Sequence, residues 1–203
     1  MAQTGGSRLE VEVKLGFPTI AEAMSRLARL PAVLERARRL ERNEVFDTPD
    51  RSLSAAARLL RLREVDGLGL LTWKEPSAAD VTPGLRAKVR HEIETEVSSP
   101  AAFREILQRL GYVVVYRYEK YRSDLAWQDP ETEKSLAISL DETPIGVYVE
   151  LEGPKESIDR AAGRMGLGEE EYILDDYRSL HHAWLAARGL PGADMVFPAE
   201  QAP

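Results

Sequence analysis

Six short segments of this 203-residue chain alternate between charged and apolar residues, and this alternation constrains the fold more than any other feature. A period of two is typical of β-strands, because successive side chains of a strand point to opposite faces of the sheet. The segments are residues 9–15, 59–63, 70–75, 90–97, 118–125 and 147–152. With one further strand through Leu140 and Asp141 and another over residues 40–47, the sequence predicts about eight strands.

The charged faces of several predicted strands carry charges of one sign. Acids stand together at Glu92, Glu94 and Glu96 and at Glu150 and Glu152, and bases at Arg61 and Arg63 and at Lys120 and Arg122. Like charges two residues apart on a strand lie about 6.6 Å from each other and repel unless a counter-ion or ligand lies between them. Each strand taken alone also fits an antiparallel sheet whose charged face is solvated, but clusters of one sign predict a group of opposite charge between them. If the charged faces point into one barrel, they line its lumen and the apolar faces turn outward under helices.

Four amphipathic helices are predicted. The first follows Pro18, where Thr19 and Glu22 have the spacing of a capping box. The second begins at Ser99 and Pro100, a cap followed by proline in the first turn, and ends at Gly111. Weaker helical patterns run through residues 158–166 and 180–189. Residues 1–7 are predicted to form a disordered leader, residues 8–188 one domain and residues 189–203 a flexible tail.

Composition excludes several classes of protein. The 27 basic and 34 acidic residues give a net charge of -7, which disfavours a general nucleic-acid binder. The chain has no cysteine, so disulfides, thiolate nucleophiles and iron-sulfur clusters are ruled out. No apolar run approaches the roughly 20 residues of a membrane-spanning helix, and the first residues do not form a signal peptide. We therefore expect a cytoplasmic protein that binds neither nucleic acid nor membrane.

The residue types on the charged faces suit phosphate and metal. Arginine binds phosphate oxygens through its planar fork and lysine as a point charge. The candidate phosphate ligands are Lys14, Arg61, Arg63, Lys74, Lys120 and Arg122. Carboxylates in the same lumen would repel phosphate unless they hold hard divalent cations such as Mg²⁺ or Mn²⁺. The combination predicts metal-assisted phosphoryl chemistry on a polyphosphate.

The segment Glu10-x-Glu12-x-Lys14 resembles the ExExK signature of the CYTH group, the triphosphate tunnel metalloenzymes. Further segments resemble the successive strands of that family in the same order: Phe46-Asp47-Thr48-Pro49, Leu60-Arg61-Leu62-Arg63, Thr72-Trp73-Lys74, Arg90-x-Glu92-x-Glu94, Lys120-x-Arg122, Leu140-Asp141 and Glu150-x-Glu152-Gly153. The resemblance covers about residues 8–185. It implies an α+β fold, a closed eight-stranded antiparallel β-barrel with helices packed outside, and a triphosphate substrate processed with divalent metal.

The resemblance also implies roles for individual residues. Glu10, Glu12, Glu150 and Glu152 would be the main metal ligands, and Glu92, Glu94 and Asp141 would join them or orient water. Glu10, Glu12 and Lys14 would form the catalytic centre, and the six bases would bind the phosphates. Arg90 would bind substrate or pair with a neighbouring carboxylate. Tyr177 is expected to pack at the barrel mouth, outside the site.

Three functions stay open at this point. The first is hydrolysis of inorganic triphosphate or a small organic triphosphate, and the second is the class IV adenylate cyclase reaction, which converts ATP to cyclic AMP and pyrophosphate. The third is a barrel that binds polyphosphate without turnover. All three take a triphosphate-containing small molecule as ligand, and a homodimer is an expectation at the family level only.

Overall fold

The computed structural model describes residues 7–77 and 86–198. Its strands are β1 Ser7–Phe17, β2 Val33–Asp47, β3 Leu59–Val65, β4 Leu68–Pro76, β5 Lys88–Val97, β6 Val113–Gln128, β7 Ser135–Thr143 and β8 Gly146–Glu152. Its α-helices are α1 Ile20–Leu27, α2 Ser52–Ala55, α3 Pro100–Arg109, α4 Lys155–Met165 and α5 Tyr177–Ala186, and a short 3-10 helix spans Glu169–Glu171. No helix within these described ranges is long and apolar enough to cross a membrane.

The strands form one closed barrel in the order β1-β5-β4-β3-β2-β6-β7-β8, and every neighbouring pair is antiparallel. The predicted α+β fold with a closed eight-stranded antiparallel barrel is therefore confirmed. The strand predicted over residues 40–47 is longer than expected, because β2 begins at Val33 and pairs with the similarly long β6. Residues 36–39 belong to this strand.

Apolar side chains of the strands point out of the barrel and pack against helices. Val13 and Leu15 of β1 are buried in a core that also contains Leu27 of α1 and Ile158 and Met165 of α4. The other parity of β1, including Glu10 and Lys14, is equally buried but faces the lumen. The barrel thus has an apolar outer layer and an ionic interior.

The helix ends follow the predicted capping residues. Thr19 Oγ1 accepts a hydrogen bond from the backbone N–H of Glu22 at the start of α1 (3.2 Å). Ser99 Oγ likewise accepts one from the N–H of Ala102 at the start of α3 (3.4 Å), and Gly111 follows that helix with a φ of 93°. A positive φ of this size is readily adopted by glycine, which explains the helix stop.

The described part of the predicted tail contacts the barrel. Strand β7 pairs with β6 only from Tyr121 onward, and residue 195 pairs with the edge of β6 that β7 leaves free. The N–H of Met195 donates to the carbonyl of Arg117 (2.9 Å), and its carbonyl accepts from the N–H of Glu119 (2.8 Å). The Met195 side chain is buried against Tyr118. Residues 1–6 and 199–203, which the sequence assigns to the leader and tail, lie outside the described residues.

Met195→Ala is expected to lower the free energy of unfolding by about 2–5 kcal/mol, because a buried side chain is removed and a cavity remains. Urea unfolding followed by circular dichroism measures the difference. Met24→Ala is the matched control, since Met24 is 57% exposed on α1 and its loss should change stability by less than about 0.5 kcal/mol. Equal effects of the two substitutions would mean that the segment at residue 195 does not stabilise the barrel.

Candidate active site in the barrel lumen

The barrel encloses a cavity of about 540 Å³ whose walls are mainly charged. Thirteen of the fourteen residues that the sequence points to line this cavity: Glu10, Glu12, Lys14, Arg61, Arg63, Lys74, Arg90, Glu92, Glu94, Lys120, Arg122, Glu150 and Glu152. Asp141 is the exception: it lies opposite Arg122 in the barrel interior but is fully buried and does not line the cavity. Cavities of roughly 300–1,000 Å³ are typical of small-molecule sites.

Three carboxylates converge at one place in the lumen. Glu10, Glu92 and Glu152 each offer an oxygen, and these oxygens lie within 4.8 Å of one another. We call these residues the acid trio. Burial, together with the negative charges of Glu12, Glu92 and Glu152, raises the pKa of Glu10 from 4.5 to about 7 despite the opposing charge of Lys74. A bound cation would therefore stabilise the ionised form of the Glu10 carboxylate.

The acid trio fits a hard divalent cation by the chemistry of its donors. Mg²⁺ and Mn²⁺ prefer carboxylate oxygens, and three such oxygens leave further coordination positions for water and phosphate. Among the residues that the structure describes, no other group of three or more potential ligands comes as close together. Four further residues that the sequence proposes as metal ligands lie outside this group: Glu12, Glu94, Asp141 and Glu150.

Glu12 and Glu150 contact Lys14 instead. The Lys14 ammonium lies 3.4 Å from Glu12 Oε1 and 3.3 Å from Glu150 Oε1. Burial alone would raise the pKa of Glu12, but the charges of Lys14 and Lys74 lower it to about 2. The same contacts raise the pKa of Lys14 against the effect of its own burial. This part of the site is therefore ionised throughout the neutral range.

Asp141 accepts hydrogen bonds from three side chains that approach the lumen. Lys120 Nζ donates at 2.9 Å, Arg122 Nε at 2.6 Å and Tyr177 Oη at 2.6 Å. Tyr177 is the first residue of α5, and its ring lies 5.4 Å from Lys14 Nζ and 5.1 Å from Lys120 Nζ. Tyr177, which the sequence analysis expects at the barrel mouth but outside the site, thus lines the lumen.

Several buried donors in the barrel interior have no hydrogen-bond partner among the described residues. They include Nε of Arg61, Nε of Arg90 and Nδ2 of Asn43. Arg61 is held by its other nitrogens, which donate to Tyr118 Oη (3.1 Å) and Thr72 Oγ1 (3.0 Å). Buried donors normally find acceptors, so these atoms favour an oxygen-rich anionic ligand.

Glu41 on β2 is a further buried acid of the barrel interior, and the sequence pattern does not single it out. Its carboxylate lies 3.3 Å from Arg39 Nη2 and 3.4 Å from Arg63 Nε. Burial would raise its pKa, but the charges of Arg63, Lys120, Arg122 and Arg39 lower it to about 2. Residues 41–44 are Glu-Arg-Asn-Glu, so both faces of this part of β2 are polar and no alternation in the sequence marks Glu41 as buried. Arg8 and Lys88 also line the cavity and were not proposed from the sequence.

Glu41→Gln is expected to lower the free energy of unfolding at pH 7 by on the order of 3 kcal/mol, because four cationic groups lose a buried counter-charge. The folded pKa lies below the ordinary value of 4.5, so the contribution is full above pH 4.5 and is lost as the pH falls toward about 2. Urea unfolding at a series of pH values measures this. Glu105→Gln, at an exposed pair on α3, should show little effect at any pH. A pH-independent difference for Glu41→Gln would contradict the argument.

Comparisons with known proteins agree with this architecture. The CYTH domain matches the chain over residues 8–175, which confirms the resemblance seen in the motifs. A Methanocaldococcus jannaschii protein named "putative adenylate cyclase" is 26% identical over 145 residues, covering 71% of this chain and 76% of the relative.

Two solved structures illustrate the shared fold. A "putative adenylate cyclase" from Vibrio parahaemolyticus has a TM-score of 0.69 at 20% identity and covers 87% of this chain and 99% of its own. A Hippeastrum "putative adenylyl cyclase", described as having a dominant triphosphatase activity, has a TM-score of 0.54 at 18% identity and covers 90% of this chain and 97% of its own. At these identities the likeness shows the fold.

Proposed function

The chain belongs to the CYTH domain family, and on this premise we propose that it is a divalent-metal-dependent phosphohydrolase acting on a triphosphate within the barrel. The observation that carries the proposal is one lumen that contains both a carboxylate trio and a set of buried, partly unsatisfied arginine donors. A pure cation site would not need the arginines, and a pure anion site would not tolerate the trio.

The residues divide into two tasks. Glu10, Glu92 and Glu152 would hold Mg²⁺ or Mn²⁺, which when bound acts as a Lewis acid and lowers the pKa of coordinated water. Four bases would bind the non-bridging oxygens of the triphosphate and neutralise the charge that develops on them: Arg61, Arg63, Lys120 and Arg122. Asp141 would orient two of these bases, Lys120 and Arg122, through hydrogen bonds.

The proposed reaction is attack of water on the terminal phosphorus. The bond from that phosphorus to its bridging oxygen breaks, so that triphosphate and water give diphosphate and orthophosphate. No covalent enzyme intermediate is required. The triphosphatase activity described for the Hippeastrum protein supports this reaction as the first candidate.

The adenylate cyclase reaction is the second candidate, because the Methanocaldococcus jannaschii relative carries that name. Here the ribose 3′-hydroxyl attacks the α-phosphorus of ATP, and pyrophosphate leaves. The same lumen could bind ATP for either reaction, since fold alone does not select the attacked phosphorus.

One assay separates the candidates. Purified protein is incubated with tripolyphosphate or with ATP, each with Mg²⁺, with Mn²⁺ or with EDTA, and orthophosphate, pyrophosphate and cyclic AMP are quantified. We expect metal-dependent orthophosphate release from tripolyphosphate. Equal amounts of cyclic AMP and pyrophosphate from ATP would favour the cyclase. Binding of both substrates without any product would overturn an enzymatic function and leave a polyphosphate-binding barrel.

A further inference from the structure

Arg8 lies at the edge of the acid trio. It precedes Glu10 by two residues on β1, so both side chains are on the lumen parity, and the strand register places Arg8 opposite Glu92 of β5. Its Nη2 and Nε lie 2.6 and 2.9 Å from Glu92 Oε2, and its Nη1 lies 3.0 Å from Glu152 Oε1. One guanidinium therefore bridges two of the three carboxylates, from strands on both sides of β1.

The ligand oxygens of the trio are thus already shared with bases. Lys74 Nζ lies 2.6 Å from both oxygens of Glu10 and 3.1 Å from Glu92 Oε1. Arg8 contacts Glu92 Oε2 and Glu152 Oε1. A divalent cation that binds the same oxygens must replace some of these contacts, because a cation and an ammonium or guanidinium group at one carboxylate oxygen repel each other.

The two bases differ in how easily they can move. The side chain of Lys74 is 12% exposed and is enclosed between Glu10 and Glu92. That of Arg8 is 55% exposed, whereas the Glu92 side chain that it contacts is only 3% exposed. A half-exposed arginine can swing into solvent at little cost, since water solvates the guanidinium that the carboxylates release.

We propose that Arg8 is an internal competitor of the divalent cation: it neutralises Glu92 and Glu152 in the metal-free protein and leaves them when the cation binds. The inference rests on the proposed function only in taking the acid trio as the metal site. Arg8 then tunes the affinity for the cation, and its loss tightens metal binding. The opposite arrangement, in which Arg8 holds the two carboxylates in a geometry that the metal needs, predicts the opposite sign.

The test is a titration of metal-stripped protein with Mn²⁺ in the absence of substrate, followed by calorimetry. Wild type, Arg8→Gln and Arg8→Lys are compared. Arg42→Gln is the matched control, because it removes the same charge from an exposed pair with Glu119 on the outside of the barrel (3.3 Å). We expect Arg8→Gln to lower the dissociation constant for Mn²⁺ roughly tenfold, Arg8→Lys to lie between it and wild type, and Arg42→Gln to match wild type.

Thermal unfolding supplies a second readout. Metal-free Arg8→Gln should unfold at a lower temperature than wild type, because the trio loses a counter-charge, and Mn²⁺ should raise the Tm of the variant more than that of wild type. Unchanged or weaker Mn²⁺ binding by Arg8→Gln would overturn the inference, as would absence of Mn²⁺ binding in wild type. Metal-dependent phosphate release by the same wild-type preparation shows separately whether the proposed function stands.

Discussion

Glu10→Gln is expected to lower kcat for metal-dependent phosphate release by at least about 100-fold. Glu10 is a buried member of the acid trio, 4% exposed, and burial together with the negative charges of Glu12, Glu92 and Glu152 raises its pKa to about 7. The amide keeps the shape but removes the negative charge, so the site attracts a divalent cation less strongly. Phosphate release from tripolyphosphate at saturating Mn²⁺ measures kcat, and calorimetry measures the accompanying loss of Mn²⁺ affinity.

The control is Glu142→Gln, the same chemical change on the outer side of β7, where Glu142 pairs with Arg38 (2.6 Å). This variant should keep wild-type kcat and wild-type Mn²⁺ affinity. A Glu10→Gln protein that is folded, binds Mn²⁺ as wild type does and turns over at the wild-type rate would show that the acid trio is not the metal site. Loss of activity in both variants would point to a general effect of charge removal.

The lumen-facing residues could be predicted because side chains alternate between the two faces of a strand, and this alternation can be read from neighbouring residues alone. Once residues 9–15 are recognised as a strand, Glu10, Glu12 and Lys14 must share one face, and the structure places all three on the cavity. The same alternation predicts which side chains of β1 point outward, and Val13 and Leu15 do lie in the core beneath α1 and α4.

The grouping of the acids could not be predicted in the same way. The register sets Glu10 opposite Arg90 and Glu12 opposite Glu152, yet the acid trio joins Glu10 to Glu92 and Glu152 across the diagonals. Diagonal neighbours depend on the tilt and stagger of a closed barrel, which are properties of all eight strands together. The alternation in the sequence shows which face of its strand each side chain occupies, but it does not show how far neighbouring strands are shifted along each other.

Residues contributed by elements other than the patterned strands were also missed. Tyr177 reaches the lumen because α5 begins at the barrel mouth, and its place there depends on how α5 packs on the barrel. Met195 is buried because β7 ends before covering the edge of β6. Both contacts join segments that are distant along the chain. The sequence places Tyr177 at the barrel mouth, but no local pattern shows that its side chain enters the lumen or that Met195 is buried.

Asp141→Asn is expected to lower the free energy of unfolding by about 3–5 kcal/mol, because it removes the charge that compensates two buried cationic side chains. Lys120 and Arg122 are 1% and 9% exposed, and both donate to this carboxylate. Tyr177→Phe removes a single donor to the same carboxylate and should cost only about 1.5–3 kcal/mol. Urea unfolding of both variants and of the double variant gives the coupling between Asp141 and Tyr177.

The same variant separates a metal ligand from a positioning residue at Asp141. All three donors already occupy its oxygens, and it lies outside the acid trio, so the Mn²⁺ dissociation constant of Asp141→Asn should equal that of wild type. We expect KM for tripolyphosphate to rise instead, because Lys120 and Arg122 lose the group that orients them toward the phosphates. Weakened Mn²⁺ binding with unchanged KM would instead make Asp141 a metal ligand, as the family resemblance suggests. In that case Tyr177 and the two bases would have to release the Asp141 carboxylate when the cation binds.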